Sequence, residues 1–127
     1  MDPEGSMEAA RDLKEKRKHP RVNMDLPLEY RVSDAPKAQA GMVINASESG
    51  LLFHSVKDMP AGTKLSIAVL FPQGFELANF EVLAEIVWKD IHWAENREGY
   101  QFGLKFIRIL EEENQKLKRL LVEERET

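Results

Sequence analysis

The chain has 127 residues and no cysteine, which excludes a disulfide framework, a thiolate metal site and a cysteine nucleophile. Hydrophobic residues at 43% and charged residues at 31% suit one globular domain with a real core, and the length is too short for two comfortable ones. A net charge of −4 argues against broad nucleic-acid binding, and no apolar run approaches the roughly 18 residues of a membrane span. No signal-peptide pattern is visible, so the expected setting is cytoplasmic, without membrane insertion.

Residues 1–6, "MDPEGS", read as a cloning scar because Gly5-Ser6 directly precedes Met7. Residues 7–21 form a basic arm. From Arg11 to Arg21 six Lys/Arg stand against two acids, a local +4 that leaves −8 on the rest of the chain. Met7 to Lys18 has only a thin apolar stripe (Met7, Ala10, Leu13) and is expected to be a frayed helix or a flexible, disordered arm. The period then changes. In "VNMDLPLEYRV" the apolar residues Val22, Met24, Leu26, Leu28, Tyr30 and Val32 alternate strictly, which predicts a half-buried strand. Pro27 falls on its outward face and suggests an edge or a bulge. "AGMVIN" predicts a second strand, "ASESG" a polar turn closed by Gly50, and "LLFHSV" a third strand with Leu51 and Phe53 on one face.

After the loop "KDMPAGT", "KLSIAVLF" alternates through Leu65, Ile67, Val69 and Phe71. "PQG" turns the chain into "FELANFEVLAEIVWKD", one long strand or two short ones, with Val82, Ala84, Ile86 and Trp88 on a common face and Trp88 expected in the core. Ile91 to Glu98 is a loop, in which Trp93 is a candidate partner contact. "GYQFGLKFI" alternates through Tyr100, Phe102, Leu104 and Phe106. About six short strands with no helix between them indicate a mainly β fold, a six-stranded antiparallel sandwich or small barrel over residues 22–109. Residues 110–127 end the chain as a helix. Leu110, Leu117, Leu120 and Leu121 share one face, and Glu111, Glu112 and Glu113 occupy the N-terminus that the helix dipole favours for acids.

Little of this sequence carries catalytic chemistry. His19, His54 and His92 lack metal-ligand spacing, and there is no G-x-S-x-G, H-E-x-x-H or phosphate-cradling glycine loop. Neither an enzyme nor a resident cofactor is expected. Two stretches stand out. In "EKRKHPRVN", Arg17 and Arg21 are the only arginines spaced i, i+4, and Pro20 disfavours a helix there. An arginine fork can bind phosphate bidentately, pair with the O6/N7 edge of guanine and stack on a base; a lysine cannot do all three. In "NASESG", Asn45 and Ser47 present hydrogen-bonding side chains beside Gly50, which a turn uses for positive φ or for close approach of a ligand.

Taken together, "RKHPR" as R-x-x-x-R just before the first strand and "NASESG" as D/N-x-S-x-x-G between later strands resemble the PilZ domain family, bacterial receptors for cyclic di-GMP. "GYQFGLKF", with Gly103 three residues before Phe106, is similar to the family's closing strand, and the resemblance spans roughly Lys16 to Ile107. It implies a PilZ-type barrel holding the ligand on an outer edge. Arg17 and Arg21 would contact phosphate and guanine Hoogsteen edges, Asn45 would bond a guanine, Ser47 a phosphate or the ligand periphery, and Gly50 would keep the turn open. Lys16 and Lys18 would be phosphate auxiliaries, and His19 a spacer. The implied output is a ligand-altered surface of arm and barrel, relayed to an unidentified protein effector. DNA and RNA are not expected partners, and the C-terminal helix offers a route to self-association. The alternative reading is a protein-interaction scaffold of the same fold that binds no nucleotide.

Overall fold

The computed structural model describes residues 20–33, 35–91 and 99–125. Six strands and one helix follow in chain order: β1 (Val22–Val32), β2 (Gln39–Ala46), β3 (Gly50–Ser55), β4 (Lys64–Gln73), β5 (Glu76–Ile91), β6 (Tyr100–Arg108) and α1 (Glu111–Arg125). Every neighbouring pair is antiparallel, and the order β1-β2-β3-β6-β5-β4 closes on itself as a barrel. Closure follows from two non-consecutive pairings, β3 with β6 and β1 with β4. The ring leaves no sheet edge along its waist for another chain to pair with.

The alternation in the sequence becomes the inside and outside of this ring. Along β1 buried and exposed residues alternate from Val22 to Tyr30 without a break. Leu28, Tyr30, Val43, Leu51, Phe53, Leu65, Val69, Phe80, Ile86 and Phe102 fill the interior. Ring centroids of Tyr30 and Phe53 lie 5.4 Å apart at 60°, an edge-to-face contact, and those of Phe53 and Phe102 lie 5.3 Å apart with the rings tilted by 30°. The Tyr30 hydroxyl is satisfied inside the core by Ser55 Oγ at 2.7 Å. Burial pushes the Tyr30 phenol above its ordinary value, while the Ser55 hydrogen bond pulls the other way.

Several sequence expectations change. Pro27 is exposed and pairs with Met42 of β2, while β4 pairs with β1 only from Leu28 onward, so the proline stands where β1 has a neighbour on one side alone; the register shift with β2 lies just before it, between Asn23 and Leu26. "FELANFEVLAEIVWKD" forms one strand, β5, from Glu76. Trp88 is not in the core. The β5–β6 register shifts between Ile86 and Trp88, which puts Ile86 inside and leaves Trp88 42% exposed on the outer wall. Leu110 lies outside the buried stripe of the helix: it is exposed and precedes α1, and its carbonyl accepts the first helical bond from Asn114 N–H at 2.8 Å. The basic arm of residues 7–19 and most of the β5–β6 loop, including Trp93, fall outside the described residues.

α1 buries Leu117, Leu120 and Leu121 against β5 and β1. It also closes the one stretch where β5 runs past its partner. β6 pairs with β5 only from Leu83 onward, so the segment before it lacks a neighbour on that side. There Glu113 Oε1 accepts the Glu81 N–H at 2.8 Å, and Lys116 Nζ donates to the Asn79 carbonyl at 3.1 Å. Two helix side chains thus satisfy backbone groups that a further strand would otherwise meet.

Candidate functional site

Of the residues singled out in the sequence, Arg21, Asn45, Ser47 and Gly50 are described, and they lie close together where β1, β2 and β3 meet. Arg21 is exposed immediately before β1, and its Nη1 donates to Asn45 Oδ1 on β2 at 3.1 Å. The bulge in β1 sets this contact, because it brings Asn23 opposite Asn45 and leaves Arg21 to reach across the end of the pair. With Oδ1 oriented by Arg21, the Asn45 amide group points its N–H donors elsewhere, and its side chain makes no further hydrogen bond among the described residues. Arg17, Lys16 and Lys18 lie outside the described residues.

Ser47 and Gly50 are both engaged within the protein. Ser47 is buried, and its Oγ is taken up inside the turn: it accepts the Ser49 N–H at 3.2 Å and lies 3.2 Å from Ser49 Oγ and 3.4 Å from the Gly50 carbonyl. The turn is closed by Ser47 N–H to the Gly50 carbonyl at 2.8 Å. It is also tied to the closing strand, where Phe106 N–H donates to the Ser49 carbonyl at 2.9 Å. Gly50 does not supply a positive φ; among the described glycines those are Gly62, Gly74 and Gly99. Gly50 is the first residue of β3, and a Cβ there would run into the Leu104 carbonyl oxygen on β6. Its glycine is required by backbone packing and not by turn geometry.

Cross-strand register extends the site beyond these motifs. Asn45 is opposite Leu52, Leu52 opposite Gly103, and Gly103 opposite Trp88. Asn23, Asn45, Leu52, Gly103 and Trp88 therefore form one transverse row on the outer face, crossing β1, β2, β3, β6 and β5. Three interstrand steps of about 4.8 Å place Trp88 roughly 14 Å from Asn45 along the wall. The Trp88 indole lies directly over Gly103, where a Cβ would collide with Nε1 and Cε2 and stand 2.9 Å from Cδ1. The glycine lets the ring lie against the sheet, with one face covered and part of the ring open to solvent. Next along the wall, Lys105 is exposed on β6 opposite Gly50, while Glu48 is exposed in the turn.

Sequence reasoning missed Trp88 and gave no reason for Gly103. A signal was present. Phe102 and Leu104 alternate inward, so Gly103 had to face outward, and an outward glycine within a strand marks close approach of another group.

The arrangement is an open face, not a cavity. It offers an arginine fork held by an amide, a second amide at Asn23, a shallow floor and an indole ring. A groove of about 580 Å³ lies on the other wall beside Arg31, Ser66 and Arg108 and contains none of these residues. Among the described residues no cluster of three or more His, Asp or Glu could hold a metal ion, and no helix is long and apolar enough to cross a membrane.

Comparison with known proteins agrees with this architecture. The PilZ domain of YcgR from Escherichia coli, determined with c-di-GMP, superposes with a TM-score of 0.69 at 12% identity, covering 87% of this chain and 92% of that one. The Bacillus subtilis inhibitor of motility MotI/DgrA gives a TM-score of 0.68 at 15% identity over 85% of this chain, which spans only 50% of that protein. The Borreliella burgdorferi PlzA protein, in complex with c-di-GMP, gives 0.58 at 16% identity, covering 92% of this chain and 57% of that one. No curated protein sequence matches the chain. At these identities the superpositions establish the fold alone. The PilZ domain family model matches residues 15–123, nearly the whole barrel and helix with the motif-bearing segment ahead of them, and the chain belongs to the PilZ domain family.

Proposed function

We propose that this chain is a non-enzymatic receptor domain for cyclic di-GMP, bound on the outer wall between Arg21 and Trp88. The observation that carries the reading is the transverse row: the Arg21–Asn45 pair stands at one end and the Trp88 ring, seated on Gly103, at the other. A cyclic dinucleotide has two phosphates and two guanine bases. Arg21, with Arg17 four residues upstream, supplies forks for phosphate oxygens and for the O6/N7 edge. Asn45 donates to a guanine acceptor and fixes the Arg21 fork. The indole stacks on a base, since every base offers a π-face. Ser47 and Gly50 act as positioning residues that hold the turn. Lys16 and Lys18 add positive charge near the phosphates.

Relay to a protein effector runs from the turn into β6 and the helix. Ser49 is bonded to Phe106, Phe106 is two residues from the end of β6, and α1 begins three residues after that end. A shift of the turn on ligand binding therefore acts directly on the strand that leads into α1.

Calorimetric titration of the purified chain with cyclic di-GMP, with cyclic di-AMP as control, tests the reading. Saturable binding of cyclic di-GMP alone is expected, and Arg17→Ala and Arg21→Ala each reduce affinity by about 5- to 150-fold, the worth of a lost charge-assisted guanine or phosphate contact. Equal binding of both dinucleotides, or unchanged affinity in both variants, contradicts it. No binding of either leaves the scaffold reading.

A further inference from the structure

The β4–β5 hairpin projects past the barrel. β1 pairs with β4 only up to Val69 and β6 pairs with β5 only from Leu83, so the ribbon around the Gly74 turn is held by its own ladder, which runs out to Gln73 opposite Glu76. At its tip Phe75 is 108% exposed, and Leu77 is 69% exposed. A large apolar side chain displayed without contact on a two-residue turn gains nothing for the monomer. Between the same ribbon and α1 lies a groove of about 520 Å³, with Phe71, Leu77 and Ala78 on the ribbon side and Lys116, Arg119 and Glu123 on the helix wall.

We propose that the hairpin is a self-association element: Phe75 of one copy seats in the ribbon–helix groove of a second copy, and the reverse. Knob and hole lie on one element only a few residues apart, so a two-fold axis near the tips brings each knob to the other's hole. That is the self-complementarity an isologous contact requires. Charge agrees with it. Glu76 follows the knob and Arg119 lines the hole; both are exposed, and neither has an ion pair among the described residues. In the pair of copies, Glu76 of one meets Arg119 of the other, twice by symmetry. The contact is independent of the nucleotide site, which lies on the wall containing β2, β3 and β6.

Sedimentation velocity of the full chain, over a concentration series up to about 1 mM, populates even a contact of millimolar affinity and provides the test. A concentration-dependent dimer is expected. Phe75→Ser raises its dissociation constant at least about 100-fold, because two buried phenyl rings are lost at once. The melting curve of this variant stays that of the parent, because Phe75 touches nothing in the monomer. Glu76→Arg and Arg119→Glu each weaken the dimer, and the double variant restores it. A strictly monomeric parent overturns the proposal. So does a dimer that ignores Phe75→Ser and dissociates on Val122→Glu, which would be pairing through the helix face, and so does a double variant weaker than either single one.

Discussion

Alanine at two glycines of the site should give opposite outcomes, and the structure indicates why. At Gly103 an added Cβ stands 2.9 Å from Trp88 Cδ1 and closer still to two other indole atoms. Carbon–carbon contacts settle at about 3.5–4.0 Å, so the ring must retreat by on the order of 1 Å. Trp88 is 42% exposed, and its way out to solvent is open. The ring swings off the wall and the backbone stays. The stability lost is the ring's contact with the sheet, about 1 kcal/mol, or roughly 4 °C in Tm for a domain of this size. The stacking surface loses its orientation, and base–aromatic stacking is worth about 1–3 kcal/mol, or roughly 5- to 150-fold in affinity. At Gly50 the added Cβ meets the Leu104 carbonyl oxygen, with Leu104 C at 3.2 Å and Lys105 Cα at 3.3 Å. These are backbone atoms inside the β3–β6 ladder and cannot retreat alone. Overpacking of this kind costs about 1–3 kcal/mol, sometimes more, and falls on the fold. Thermal melts and cyclic di-GMP calorimetry on both variants check the contrast. In a Trp93→Phe background, the Trp88 emission of Gly103→Ala should shift to the red. The reasoning fails if Gly103→Ala binds within about twofold of the parent, a difference under 0.5 kcal/mol, or if Gly50→Ala melts no lower than Gly103→Ala.

Other outcomes follow from contacts in the same structure. Arg21→Ala and Asn45→Ala should be strongly non-additive in a double-mutant cycle of ligand affinity, with a coupling of about 0.5–3 kcal/mol, because each fixes the other; additive losses show the two acting separately. Glu113→Ala removes the acceptor of the Glu81 N–H and the 3.2 Å ion pair with Lys116. It should cost about 1–2 kcal/mol in urea unfolding, and the Glu81 amide should exchange faster while those of β1 do not. Tyr30 has a folded pKa raised mainly by burial, so its neutral form is favoured by folding. Its contribution is fully present below the unfolded pKa of about 10 and is lost as pH rises through the higher folded value. Stability should therefore fall more steeply with pH above about 10 in the parent than in Tyr30→Phe, and parallel curves by urea titration refute this.

Much of the barrel is legible in the chain because half-burial is written locally. Strict alternation from Val22 to Val32 gives β1 its full extent, since each side chain of a strand must choose the core or water and the choice repeats every two residues. The same rule gives β4 as far as Phe71, although the strand runs on through Pro72 and Gln73, expected in the turn, and the three glutamates open α1 at Glu111 because the dipole and unsatisfied N–H groups there favour acids. The two motif segments were also visible, as residue types able to read guanine and phosphate. What tertiary structure alone decided were the relations between strands. Alternation tells which face a residue takes, not which strand lies beside it; the closed barrel was expected only through the family resemblance, and the pairings β3–β6 and β1–β4 that close it came from the tertiary structure. A bulge is a defect in register with a distant partner, and one between Ile86 and Trp88 moved the tryptophan from the expected core to the outer wall. Gly50 likewise looked like a turn glycine until β6 came within contact of its α-carbon. Each of these depends on a backbone far away in sequence, and local periodicity carries no information about that distance.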